Sequence, residues 1–357
     1  EWVEAIKQRS QDTNNYLRKV NREQFREYNS LEETYKQYVE ALQKIDLSNI
    51  QIEPHKINVR PKTAILQVTD THFNTLLIPN DSLGNEYNFE IASRRFKKFI
   101  AESIRQFSSE LVTEVYFCMT GDLISSSRRL QEVLCQNSSL CMASVLATKI
   151  LMQGIIELAQ HFNVNVTFCV GNESRLNQEN FSGANILAAE NFDFLIYHSL
   201  KLILADKGIK FIDPENLIKP LIKIPLKNRE FNLILTHGNF LKCSEGDYAK
   251  IASQYLNQGK KIDLILCGHF HHNAMFEKIV FCGSMIGQTE YSCNLGFVTR
   301  PSQNIYILSD NGDVSPRIIY LDDIEGIEGY HFEQELSAYS YLDKTTYNTT
   351  VTIKNLC

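Results

Sequence analysis

The chain has 357 residues, of which 43% are hydrophobic and 22% charged, with a formal net charge of −6. This is the composition of an ordinary globular protein with ample material for a core, and the negative balance excludes bulk attraction to nucleic acid, so any such binding must rest on local patches. No uninterrupted apolar run approaches the roughly 18 residues that a bilayer span requires. The first residues, Glu1-Trp2-Val3-Glu4, lack the basic and apolar regions of a signal peptide. They also lack an initiator Met, which suggests a trimmed or processed start.

Residues 1–46 are polar and contain neither Gly nor Pro. Within them Ser30-Leu31-Glu32-Glu33 reads as a capping box, opening a helix that carries Leu31, Tyr35, Tyr38, Val39 and Leu42 on one side. Acidic and basic residues nearly balance there, so the expectation is a helical arm for homo-oligomerisation or a protein partner, not for DNA. Residues 47–62, with Pro54 and Pro61, form the linker.

From Thr63 strands and helices alternate. Ala64–Val68 is a strand, and Phe89, Phe96, Phe99, Ile100 and Phe107 then recur at helical spacing. Val115–Met119 is the next strand. Cys141–Phe162 is a helix apolar almost all round, with one polar line at Lys149, Gln153, Glu157 and His161, so it should lie buried between layers. A strand over Val164–Val170 and a helix over Ile186–Leu204 follow. Phe231–Leu235, Ile262–Cys267 and Ile279–Cys282 are strands, and Asn304–Leu308 and Arg317–Leu321 flank a turn at Asn311-Gly312. This is an α/β domain over 63–325 that ends in a β-rich return, with a tail over 326–357 of unassigned role.

Five short motifs follow apolar, β-branched stretches in this domain: Asp70-Thr71-His72, Gly121-Asp122, Gly171-Asn172, Thr236-His237-Gly238 and Gly268-His269-Phe270-His271. Loops leaving the carboxyl ends of strands converge on one edge of an open sheet. There, two carboxylates, an amide oxygen and four imidazoles can hold two divalent ions side by side. The glycines before Asp122, Asn172 and His269 let the backbone come close to such ions. Each motif alone is weak; their joint order is not.

The nine cysteines contain no C-x-x-C pair. Cys118, Cys169 and Cys267 sit inside strands just ahead of the motifs and read as buried, reduced thiols. Asn165-Val166-Thr167 and Asn172-Glu173-Ser174 match the glycosylation sequon, but a glycan would sit in a core strand or in the motif cluster. A cytoplasmic location is therefore expected.

The motif order resembles the calcineurin-like metallophosphoesterase family, whose pattern runs Asp-x-His, Gly-Asp, Gly-Asn-His, His and Gly-His-x-His. The resemblance covers Thr63 to Leu321 and implies a four-layer αββα sandwich. It further implies that Asp70, His72 and His271 bind one metal, that Asn172, His237 and His269 bind the other, and that Asp122 bridges them. A water or hydroxide held between the ions would attack a phosphate ester, with Mn the first choice of metal and Fe, Zn, Ni or Co the others. Related DNA-repair nucleases share the order, so a phosphodiester of nucleic acid or nucleotide type is the expected substrate. A phosphomonoesterase and a non-catalytic scaffold, as in some polymerase small subunits, are the alternatives.

One position departs from the pattern. Where the family has His after Gly-Asn, this chain has Glu173, then Ser174 and Arg175, a variant that resembles phage-borne members. Glu173, as a general acid if burial raises its pKa, and Arg175, as a phosphate-binding cation, are the catalytic candidates; Glu173 turned away to tie down a loop is the alternative. Arg128 and Arg129 could grip further phosphates or simply open the next helix in solvent.

Overall fold

A computed structural model describes residues 36, 62–78, 84–126, 135–176, 188–289, 292 and 299–332. The expected arm apart from residue 36, nearly all of the linker, Arg128, Arg129 and the tail beyond 332 lie outside the described residues.

Alternating apolar residues build two stacked sheets. The first has the order β11-β10-β1-β2-β3-β4, with β1 (Lys62–Val68), β2 (Val112–Met119), β3 (Asn163–Phe168) and β4 (Lys210–Phe211) parallel. The return strands β10 (Ser302–Leu308) and β11 (Val314–Tyr320) are added antiparallel. The second sheet has the order β5-β6-β7-β9-β8, from β5 (Leu221–Pro225), β6 (Glu230–Thr236), β7 (Leu264–Cys267), β8 (Ala274–Met275) and β9 (Ile279–Phe281).

The period of two in a strand sends neighbouring side chains to opposite faces, and β6 and β7 show what that achieves. Leu233, Leu235, Leu264 and Leu266 join Ile65, Tyr116 and Cys118 of the first sheet in the core between the sheets. Ile234, Ile265 and Cys267 point the other way, onto Ile251 and Ala252 of a helix over Gly246–Leu256.

The outer face of the first sheet is covered by α1 (Phe89–Ser109), α2 (Leu140–Ala159) and α3 (Phe192–Ile203); the Gly246–Leu256 helix is α4. Asn88 caps α1, its side chain accepting the Ile91 N–H at 2.9 Å, and every member of the predicted phenylalanine stripe is buried. Phe96 stands edge-on to Phe117 of β2. Gly154 lets α2 approach α1, since a Cβ there would lie 2.5 Å from the Phe96 ring. By length and composition α2 is apolar enough to cross a membrane, but 61% of that stretch is buried inside the fold. Its polar line meets partners: Glu157 pairs with Lys97 at 2.6 Å and accepts the Tyr330 hydroxyl at 2.6 Å.

The layers therefore run helices, sheet, sheet, helix, as the αββα expectation has it. Two details differ. The helix expected over Ile186–Leu204 is interrupted: Ala188 is helical, but Asn191 is extended with its side chain accepting the Asp193 N–H, and a new helix runs Phe192–Ile203; residues 186 and 187 lie outside the described residues. The elements β4, β5, β8 and α4 are additions to the predicted set.

Candidate metal centre

Between β1 and β2, and between β2 and β3, the parallel ladders run to the strand ends, and the motif loops leave from there. The Asp70 loop stays zipped to the Asp122 loop beyond the strands: Asp70 N–H donates to the Gly121 carbonyl at 3.0 Å and His72 N–H to the Asp122 carbonyl at 3.1 Å. From the second sheet, the Gly268 N–H donates to the His237 carbonyl at 2.9 Å. Buried Gln67 ties the two sheets beneath the loops, donating to the Cys267 carbonyl at 3.0 Å and accepting the Tyr306 hydroxyl at 2.6 Å.

Seven described non-glycine residues have positive φ, and five of them are motif residues: Asp70 (45°), His72 (42°), Asp122 (55°), His269 (71°) and His271 (56°). Left-handed backbone costs an L-residue on the order of 1–2 kcal/mol, and strain gathered this way marks a functional site. The loops also pass very close to one another. A Cβ on Gly121 would lie 2.5 Å from the Gly171 nitrogen, and one on Gly171 would lie 2.1 Å from Asp122 Oδ1.

The side chains converge in two groups whose ligand atoms lie within 4.8 Å of one another: Asp70, His72 and His271, and Asp122, His237 and His269. In the first, His271 Nε2 is 3.1 Å from Asp70 Oδ1 and 3.3 Å from His72 Nε2. In the second, His237 Nε2 is 2.8 Å from Asp122 Oδ2. The outward atoms are held by the chain. His237 Nδ1–H donates to the Thr120 carbonyl at 2.9 Å, and His72 Nδ1 is hydrogen-bonded to Ser125 Oγ at 2.7 Å. Asp70 Oδ2 accepts from Thr69 Oγ1 and the His269 N–H, and Asp122 Oδ1 accepts the Glu173 N–H at 2.7 Å. Such outer partners fix which nitrogen or oxygen is presented to a metal.

Three inward atoms, Asp70 Oδ1, Asn172 Oδ1 and His237 Nε2, are buried without a well-formed hydrogen bond, the first and last meeting only an ion-pair partner; such a state costs a polar group about 1–3 kcal/mol unless something meets it. Mixed carboxylate, amide and imidazole donors at this spacing fit a pair of divalent cations. Asn172 Oδ1 is aimed by its own amide nitrogen, which donates to Glu173 Oε1 at 2.6 Å.

The charges in this cluster are strongly coupled. Burial pushes the carboxyls of Asp70 and Asp122 up, but the surrounding imidazoles outweigh it and hold both below the usual range. Burial opposes a charge on His237, yet Asp122 and Asp70 raise it to about 10. His269 is lowered to about 4 by burial and by His237. A cation binding here takes the place of such protons.

Six of the seven predicted ligands therefore come together in two groups; Asn172 lies on the adjoining Gly171 loop, which also carries Glu173 and Arg175. His272, next to His271, faces Cys243 at 3.3 Å. Cys118, Cys169 and Cys267 are buried, and no disulfide occurs among the described residues. The sequence reading missed Ser125 and Thr120, which hold the imidazoles, and it missed Asp193. This carboxyl, on the first turn of α3, is fully buried, and burial together with the Asp122 charge pushes it up to about 6.

No curated protein matches the chain at a significant level. One solved structure that is similar, described as "GAP50 the anchor in the inner membrane complex of Plasmodium", has 8% identity and a TM-score of 0.34, over 78% of this chain and 94% of that one. A family model described as calcineurin-like phosphoesterase matches residues 63–273, a segment that spans every strand-end residue from Asp70 to His271. The chain belongs to the calcineurin-like phosphoesterase family.

Proposed function

We propose that this metal-dependent phosphoesterase hydrolyses phosphodiesters of nucleic acid or nucleotide type. In this reading Asp70, His72 and His271 hold one divalent ion, Asn172, His237 and His269 the other, and Asp122 lies between them; Mn is the first metal to test. A bound pair would supply Lewis acidity and neutralise phosphoryl charge. The chain supplies the rest: strained loops that fix the donor atoms before any ion arrives, and a protein-held Nδ1 on His72 and on His237.

The observation that carries the diester reading is Glu173. Its carboxylate hydrogen-bonds to the Asn172 amide, and its charge acts on His72 across the site. A second negative charge on the substrate is repelled there, so a monoanionic diester is accepted more readily than a dianionic monoester. Arg175, two residues on, is the cation proposed to meet the phosphoryl oxygens, and Glu173 is proposed to face the leaving oxygen.

Glu173→Gln isolates the charge, because the amide oxygen can still accept from Asn172. Its kcat/KM for p-nitrophenyl phosphate should rise relative to that for bis-p-nitrophenyl phosphate by about tenfold, the effect of roughly 1.4 kcal/mol of relieved repulsion. An unchanged ratio would remove Glu173 from substrate selection.

A further inference from the structure

The β2–β3 ladder ends at the pair Met119↔Phe168, with one more bond from the Cys169 N–H to the Met119 carbonyl. Past that point the Thr120 N–H donates to the Val68 carbonyl and the Val170 N–H to the Leu217 carbonyl, and the two loops carrying Asp122 and Asn172 run on side by side without a ladder between them. One carboxylate takes three of the N–H groups that follow. Asp193 Oδ2 accepts the N–H of Gly171 at 2.8 Å and of Asp122 at 3.1 Å, and Oδ1 accepts the N–H of Leu123 at 2.9 Å. Asn191 completes the grip: its Nδ2 donates to the Gly171 carbonyl at 2.9 Å, and its Oδ1 accepts the Asp193 N–H at 2.8 Å. The Gly171 peptide is thus held on its N–H side and its carbonyl side by the start of a single helix.

We propose that Asp193, supported by Asn191, is the positioning residue that sets the spacing of the two metal clusters. It touches neither ion nor substrate. It works by standing in for the missing ladder carbonyls, which keeps Asp122 in its left-handed conformation, φ 55°, while Asn172 faces it. In the dinuclear reading the Asp122 carboxylate, which belongs to the His237 and His269 group, is also shared with the other ion, so a shift in its loop would change both sites together. A purely structural role would instead lower stability and leave the metal pair unaltered. This inference rests on the dinuclear reading above.

The experiment measures Mn²⁺ binding to the full chain by calorimetry and the electron paramagnetic resonance spectrum of the loaded protein, with no substrate present. Wild type comes first: two bound ions with an exchange-coupled signal support the dinuclear reading, and their absence overturns that reading itself. In Asp193→Asn one acceptor becomes an amide donor aimed at backbone N–H groups. The second Mn²⁺ should then bind about 10–100-fold more weakly, and the coupled signal should fall in favour of isolated Mn²⁺. For bis-p-nitrophenyl phosphate kcat should drop while KM moves little. Gly154→Ala, which crowds Phe96 within the helical layer, is the comparison: it should lower the melting temperature but keep both ions and their coupling. If Asp193→Asn does not fold, Asn191→Ser decides, since it keeps a capping oxygen and loses the donor to Gly171; a weakening of several-fold is expected. Wild-type affinities and coupling in whichever of these two variants folds would overturn the proposal, as would the same loss of coupling in Gly154→Ala.

Discussion

Asp122→Asn is expected to abolish most of the activity without unfolding the chain. The carboxylate's two oxygens have separate duties: Oδ1 accepts the Glu173 N–H, whereas Oδ2 faces His237 at 2.8 Å. An amide can keep the first duty and cannot supply the charge that the second requires between two cations. Losing several kcal/mol of charge stabilisation corresponds to on the order of 10³-fold in kcat/KM. The backbone bonds of the loop to Asp193 and to His72 do not involve the side chain. The metal-free variant should therefore still fold, with a melting temperature lowered by the loss of the buried Asp122–His237 pair. Activity within tenfold of wild type on bis-p-nitrophenyl phosphate, at saturating Mn²⁺, would mean that Asp122 does not join the two clusters.

Gly171→Ala should be among the most damaging single methyl groups in the domain. The added carbon would lie 2.1 Å from Asp122 Oδ1 and 2.3 Å from the Asp122 nitrogen. Neither atom can retreat: the nitrogen is held by Asp193, and Oδ1 is held by the Glu173 N–H. Overpacking of a rigid site costs about 1–3 kcal/mol and sometimes more, and here it also breaks bonds of buried N–H groups. A fall of roughly 5–10 °C in melting temperature, with bound metal reduced below one ion per chain, is the expected result. A melting temperature and metal content equal to wild type would show that the two loops do not pack as closely as the structure has them.

The strands that deliver the ligands were legible because each is a run of apolar, β-branched residues closed by a polar motif, as in Ala64–Val68 before Asp70. The phenylalanine stripe of α1 was legible for the corresponding reason at helical period. Short or weakly patterned elements were not. In β5 only Ile222 and Ile224 are fully turned inward, and Pro225 closes it. In α4 the buried apolar face amounts to Ile251 and Ala252, with half-buried tyrosines beside them, too sparse a stripe to announce a helix.

At the site, the candidate ligands carry a recognisable spacing, and six of the seven come together in two groups. Residues that act on backbone carry none. Asp193 meets N–H groups 22, 70 and 71 residues away in the chain, and nothing in its neighbours Phe192 and Phe194 distinguishes it from an ordinary first-turn acid. The left-handed φ values of Asp70, His72, Asp122, His269 and His271 were equally silent, because Asp and His tolerate that region without the signature that glycine leaves. Glu173 was visible as a departure from the family pattern, but its hydrogen bond to the Asn172 amide was not.

The most direct test of the central claim is hydrolysis of bis-p-nitrophenyl phosphate and of p-nitrophenyl phosphate by the full chain. It should be stripped of metal by chelation and then titrated with Mn²⁺, with bound metal measured alongside. Diester turnover that rises with the second ion bound and exceeds monoester turnover is the predicted result. Turnover of the monoester alone would contradict the substrate assignment and make the chain a phosphatase. Silence on both substrates with two ions bound, or no metal pair at all across Mn²⁺, Zn²⁺, Ni²⁺ and Co²⁺, would contradict the catalytic reading and leave a scaffold with the family's fold.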